Sequence, residues 1–142
     1  RRTAQELDVD DYTYSFFRGN SEDIERYKLL DIDLESGYSY QEIARAIKGY
    51  EESKELEYKI DMYKAIRDFV NNRSYLKTYE KIFFAEEIVR ASSDRNIYRD
   101  IVSYLIEVMG DLNGLQERLT MKGMLRFPIN MRVFFINLFL EL

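Results

Sequence analysis

Residues 94–109 read Asp-Arg-Asn-Ile-Tyr-Arg-Asp-Ile-Val-Ser-Tyr-Leu-Ile-Glu-Val-Met and place Ile97, Tyr98, Ile101, Val102, Leu105, Val108 and Met109 at steps of three and four. That spacing lines one face of an α-helix, so a helix is predicted from about 94 to 109. Ser93 or Asp94 can accept a hydrogen bond from its first turn, and Gly110 can end it. The same period extends upstream. Tyr75, Leu76, Tyr79, Ile82, Phe83, Ile88 and Val89 are read as one buried face behind a cap at Ser74, with Lys77, Glu80, Lys81 and Glu87 left outside. A third long helix is predicted through Leu56, Ile60, Tyr63, Ile66, Phe69 and Val70, ending at the turn-forming Asn71-Asn72.

Shorter helices precede these. Ser39 and Glu42 have the spacing of a capping box and open a helix through Ile43, Ala44 and Ile47, with Gly49 as its expected stop. Ser21 is expected to open another, carrying Ile24, Tyr27 and Leu30. Thr3 and Glu6 repeat the capping-box spacing, but residues 7–17 mix periods and are expected to be frayed or irregular. Beyond Gly110, Leu112, Leu115 and Leu119 predict a weaker helix interrupted at Gly114 and ended near Gly123. No turn signal sits between alternating apolar runs; Asn113-Gly114 is flanked by helical spacing. The fold class is therefore all-α: a single domain over residues 1–142, an antiparallel bundle of about five to seven helices.

The composition narrows the chemistry. The 142 residues suffice for one domain with a core of its own and include no Cys, no His and no Trp, beside 12 Tyr and 9 Phe. Without Cys or His there is no disulfide, no thiolate or imidazole zinc site, no Ser-His-Asp triad and no cysteine nucleophile. Neighbouring carboxylates such as Asp10-Asp11 and Glu86-Glu87 point different ways on a helix and form no acid/base dyad. No Ser-x-x-Lys pattern and no Gly-rich phosphate loop is present. The chain is thus read as non-enzymatic, with no catalytic residue, no cofactor, no metal site and no small-molecule substrate to be named. It opens on Arg1-Arg2 without an apolar stretch behind, so no signal peptide is expected. Lacking an initiating Met, it is expected to be a processed product or a portion of a longer polypeptide. The missing cysteines fit any compartment and lean toward a cytoplasmic, intracellular or viral setting.

The net charge of −5 argues against non-specific nucleic-acid binding. Its distribution is uneven: residues 1–62 hold 9 basic against 16 acidic side chains, residues 63–142 hold 12 against 10. Between Glu117 and Glu141 there is no acidic residue. Arg118, Lys122, Arg126 and Arg132 alternate there with Met124, Phe127 and other apolar side chains. After Pro128 the run through Phe134, Phe135 and Phe139 leaves almost no polar face, yet it is far shorter than the ~20 residues of a membrane span. It is expected to be an apolar C-terminal helix, either buried in the core or inserted into a partner; a buried strand is the third option. The expected function is a protein–protein interaction module, regulatory, adaptor or assembly in role. It docks a protein partner or a second copy through Arg118, Lys122, Met124, Arg126, Phe127, Arg132, Phe134, Phe135 and Phe139.

Two local patterns suggest alternatives. Asp31, Asp33, Glu35, Ser39 and Glu42 fall at the first, third, fifth, ninth and twelfth places of a loop that resembles the calcium loop of EF-hand proteins. The resemblance implies a calcium ion held by residues 31–42; it departs at the sixth place, where Ser36 stands for the family's Gly. Residues 37–47, Gly-Tyr-Ser-Tyr-Gln-Glu-Ile-Ala-Arg-Ala-Ile, look like the first helix of a helix-turn-helix, which implies a DNA-binding regulator using residues 37–70. Its second helix would then bring Lys54, Lys59, Lys64 and Arg67 toward phosphates together with Glu51, Glu52, Glu55, Glu57, Asp61 and Asp68, a repulsive balance.

Overall fold

A computed structural model of the chain describes residues 2–109 and 130–142. It is all-helical, and no strand occurs among the described residues. The predicted helix at 94–109 is α7, Arg95–Met109, and the predicted third helix is α5, Leu56–Asn72. Around them lie α1 (Ala4–Leu7), α2 (Asp11–Phe16), α3 (Ser21–Tyr27), α4 (Ile43–Ser53), α6 (Thr78–Ala91) and α8 (Met131–Leu140). The weaker helix expected beyond Gly110 lies outside the described residues.

Eight α-helices among the described residues exceed the expected five to seven, and the excess comes from the N-terminal stretch. Residues 7–17 are not irregular. Asp8 takes a left-handed conformation that ends α1, and Asp10 Oδ1 then accepts the Thr13 N–H at 2.7 Å to start α2. Two short helices of different phase explain the mixed period. The capping box at Ser39 also forms differently. Ser39 Oγ accepts the Gln41 N–H, a 3₁₀ turn over Tyr40–Glu42 follows, and the Tyr40 N–H goes to Asp68 Oδ2 on α5 at 2.9 Å. Asp68 thereby takes up a first-turn N–H of this segment and ties it to α5.

Gly49 does not stop α4, which runs on to Ser53 and ends where Lys54 turns left-handed at φ 58°. A Cβ at position 49 would lie 2.3 Å from Cδ1 of Tyr58, so this glycine is the point of close approach between α4 and α5. α6 begins at Thr78, four residues after the expected cap, with the Lys77 N–H donating to Glu80 Oε1 at 3.1 Å. Its buried face is Phe84, Ala85, Ile88 and Ala91. Of the expected face, Tyr75, Tyr79 and Phe83 are exposed, whereas Ile88 is buried and Leu76 and Val89 pack against the core. Apolar residues surround this helix, and period alone does not say which side the core takes.

α5 runs through the middle. It packs against α4, α7, α3 and the 3₁₀ turn, while α6 packs against α4 and α8. Two aromatic groups fill the space. Phe69 and Phe84 stack at 4.1 Å, and Phe139 meets both edge-on at 5.1 and 5.0 Å. Tyr63 and Tyr104 stack at 3.9 Å, and Phe16 meets both edge-on at 5.9 Å. Such ring pairs add about 0.5–1.5 kcal/mol beyond the apolar area they bury.

Polar ties hold the N-terminal segments to this core. Arg18, left-handed at φ 53°, sits 2.5 Å from Asp100 Oδ1 on α7, and the Tyr63 hydroxyl donates to the same oxygen at 2.8 Å. Burial disfavours the charged Arg18, but Tyr63 and Asp100 outweigh it and its pKa stays raised. Burial, with Asp100 adding to it, pushes the Tyr63 phenol far above its ordinary range. Lys59 on α5 pairs with the buried Asp23 of α3 at 2.6 Å.

Candidate functional site

The surface around α6 and α8 gathers the groups that chemistry or contact can use. α8 starts where Asn130 Oδ1 accepts the Val133 N–H at 3.1 Å, and it then alternates buried and exposed positions. Met131, Phe135, Leu138 and Phe139 face inward, with Phe135 and Phe139 fully buried. Phe135 meets Tyr98 of α7 edge-on at 5.5 Å, and Phe139 closes the Phe69–Phe84 stack. These two rings, expected at an interface, sit inside the domain in this fold. Phe134 is half-buried, with its ring 5.2 Å from that of Phe135. Of the remaining expected interface residues, Arg132 is exposed, while Arg118, Lys122, Met124, Arg126 and Phe127 lie outside the described residues.

What α8 leaves outward is a face of Arg132, Val133, Ile136 and Leu140, which share roughly a third of the helix circumference. Arg132 Nη2 reaches Glu86 Oε1 on α6 at 3.3 Å. On α6, Tyr79, Phe83, Glu86 and Arg90 recur at three- and four-residue steps and so share one arc. The ion pair therefore joins the outward face of α8 to the outward face of α6. Tyr79 is 65%, Phe83 46%, Val133 45% and Leu140 40% exposed, and Tyr75 just before α6 is 83% exposed. On the other flank of Phe83, a groove of about 580 Å³ separates α6 from α4. Its walls carry Ala44, Tyr58 and Phe83 among Arg45, Lys48, Arg90, Glu42, Glu52 and Glu87. Arg90 pairs with Glu87 on its own helix. Glu86 and Glu87 are thus bound to different arginines, which matches their divergent directions on the helix.

The base of α6 is fixed to the rest. The Tyr40 hydroxyl donates to Glu80 Oε2 at 2.9 Å. Hydrogen bonds from the Lys77 backbone N–H and from Tyr40 hold the Glu80 carboxyl below its ordinary range. Burial, then the Glu80 contact, raises the Tyr40 phenol.

The 31–42 segment presents cations where a calcium ion would need oxygens. Lys64 Nζ donates to the Asp33 carbonyl at 2.6 Å and to Ser36 Oγ at 2.7 Å, and Arg67 donates to the Leu34 carbonyl at 2.5 Å and the Ser36 carbonyl at 2.8 Å. Asp33 Oδ1 is engaged by the Glu35 N–H at 2.9 Å. No three carboxylates converge on a common point among the described residues, so these residues do not fit the ion. Burial, then the neighbouring Arg67, lowers the Lys64 pKa.

The helix-turn-helix pattern meets a different obstacle. α5, its would-be recognition helix, buries Leu56, Ile60, Met62, Tyr63, Lys64, Ala65, Ile66, Phe69 and Val70 against the surrounding helices. A recognition helix needs an outward face for the major groove. Here all three cations of α5 are engaged within the fold, Lys64 and Arg67 by the 31–42 segment and Lys59 by Asp23.

The outward stripe on α6 was readable as a repeat, but its spacing is the spacing of a core face. Only the competing stripe at Phe84, Ala85 and Ile88 tells which side is buried, and both lie in the same sequence. No helix among the described residues is long and apolar enough to cross a membrane. Comparison of the sequence with protein-family models gives no match, and comparisons with curated proteins and with solved structures likewise give none.

Proposed function

We propose that the chain is a non-enzymatic protein–protein interaction module, regulatory, adaptor or assembly in role, that docks through its C-terminal segment and α6. The observation that carries this reading is the Arg132–Glu86 pair, which joins two outward faces bearing Tyr79, Phe83, Val133 and Leu140. Exposed aromatic and aliphatic side chains grouped beside charged ones are the composition of an interface centre and rim. In sequence, Arg118, Lys122, Met124, Arg126 and Phe127 lead into α8 and add positive charge to this segment. We read the helices as an antiparallel bundle in which α8 is the outer wall that carries the interface. Two-residue and three-residue connections before α5 and α7 support that arrangement.

The occupant that fits is a second copy of the chain. The first 62 residues carry an excess of seven acidic side chains, many of them exposed on and around α1 to α3, and so complement a basic, apolar C-terminal segment. Sedimentation velocity of the full chain tests this against Phe83→Ser and Val133→Ser, both at exposed positions. Self-association that the two substitutions weaken, with the helical circular dichroism unchanged, is the expected result. A monomer at every concentration, or an oligomer indifferent to both, would overturn it.

A further inference from the structure

Along the outward side of α6, Tyr79, Phe83, Glu86 and Arg90 follow one another at steps of four, three and four. That is the spacing of a coiled-coil seam, and the four directions fall within about 60° of helix circumference. The opposite side of α6, with Phe84, Ala85 and Ile88, is buried in the chain's own core, so the seam is the side open to a partner. Its steps read the same from either end. Two copies of α6 laid antiparallel therefore match the seam to itself, Tyr79 opposite the second copy's Arg90 and Phe83 opposite the second copy's Glu86.

The chemistry of the two ends selects that direction. Parallel copies would set Glu86 against Glu86 and Arg90 against Arg90, like charges in contact. Antiparallel copies bring each Arg90 guanidinium to a Tyr79 ring, a favourable contact that the symmetry makes twice. Arg90 bonds Glu87 through Nε and Nη2, in the plane of the guanidinium, so that pair does not compete with a ring on its flat face. Near the axis the two Phe83 rings are displaced by about 4.5 Å along the helices, which suits offset stacking. The two Glu86 carboxylates lie at the same level, each held by its own Arg132 at 3.3 Å, so the four charges there sum to zero. Glu80 and Glu87 flank the seam on the α4 side, the first bonded to Tyr40 and the Lys77 N–H, the second to Arg90. In the groove on that side Arg45, Lys48 and Arg90 stand against Glu42, Glu52 and Glu87, a balance that does not oppose approach.

Resting on the reading that the partner is a second copy, we propose that two chains pair about a two-fold axis through antiparallel α6 helices. Tyr79 and Arg90 lock the two ends, Phe83 fills the centre, and the exposed Val133 and Leu140 of α8 extend the apolar surface beside the seam.

The chain has no cysteine, so every disulfide formed in a test lies between residues placed for it. An oxidised mixture of Tyr79→Cys and Arg90→Cys, resolved by mass, should give cross-linked dimers holding one chain of each kind. Neither variant alone should cross-link, because each position and its own mate stand about 16 Å apart along the helices, beyond a disulfide. In sedimentation velocity Tyr79→Arg should weaken self-association by about tenfold, since a cation then meets a cation at both ends. Adding Arg90→Tyr should restore it, because the facing pair is only exchanged. Both positions are exposed, so the substitutions leave the core intact. A chain monomeric at every concentration overturns the second-copy reading and this pairing together. A chain that self-associates but forms Tyr79→Cys homodimers, forms no mixed dimers, or is not restored by the exchange overturns the antiparallel pairing alone.

Discussion

The region from α4 to α8 and the region before it are held by different forces. Between α4 and α8 the ties are rings: Phe69, Phe84 and Phe139 close one cluster, and Phe135 joins it to Tyr98. The first forty residues bury Leu7, Phe16, Phe17, Ile24 and Leu34, yet their long-range hydrogen bonds come largely from cations. Lys28 reaches the Leu7 carbonyl at 2.9 Å, Lys59 reaches Asp23, and Lys64 and Arg67 hold residues 33–36. This acidic segment packs Phe16 against Tyr63 and Tyr104, and the basic side chains of α5 add polar ties to it.

The comparison predicts an order of effects. Phe84→Ala should be the most damaging, at about 3–5 kcal/mol in chemical denaturation, because it empties the centre of the ring cluster. A value near that of a surface change would show that the cluster is not the core of the domain. Lys59→Met should follow, at about 3 kcal/mol, since it strands the buried Asp23 carboxylate. Adding Asp23→Leu should recover much of that loss; a double variant as weak as the sum of the singles would mean the pair is not coupled. Gly49→Ala should cost about 1–3 kcal/mol, because its Cβ would press on the Tyr58 ring and force α4 from α5.

Alkaline pH probes both regions at once. Tyr63 and Tyr104, raised above the ordinary 10.0 first of all by burial, remain protonated in the fold while the unfolded chain ionises. Their contribution is fully present below pH 10.0 and is lost as pH rises toward their folded values. The loss should run at about 1.4 kcal/mol per pH unit for each phenol. Lys64 has the opposite sign: its pKa is lowered from 10.5, so its stabilising share is present above that value and is lost as pH falls. Denaturation midpoints measured across this range should therefore drop for the wild type and drop less steeply for Tyr63→Phe. Equal slopes would show that Tyr63 is not buried as a neutral phenol. The smallest effect belongs to the outward stripe: Tyr79→Ser should change stability by no more than about 0.5 kcal/mol. A large loss there would mean that Tyr79 is part of the packing.

Helix positions were legible because their signals are local. The stripe from Ile97 to Met109 marked α7 to within a residue, and Asn71-Asn72 marked the end of α5. Errors clustered where a residue's partner is distant in sequence. Gly49 looked like a stop because glycine commonly ends helices, yet its reason is the ring of Tyr58 on the next helix. Phe135 and Phe139 looked like an interface because they lie on an apolar run at the end of the chain; the Phe69–Phe84 stack that receives Phe139 and the Tyr98 ring that meets Phe135 are distant in sequence. The calcium-like spacing from Asp31 to Glu42 was genuine, but nothing in those twelve residues announces Lys64 and Arg67.

By itself the sequence determined that the chain is all-helical, where most helices run, that Cys and His chemistry is absent, and that charge divides between the two halves. Period, caps and composition act over a turn or two of chain and need no partner. The tertiary structure alone decided which face of α6 is buried and that the cations of α5 turn inward. Those outcomes depend on competition among faces of similar polarity, settled by which packing buries the most apolar surface while satisfying every buried charge.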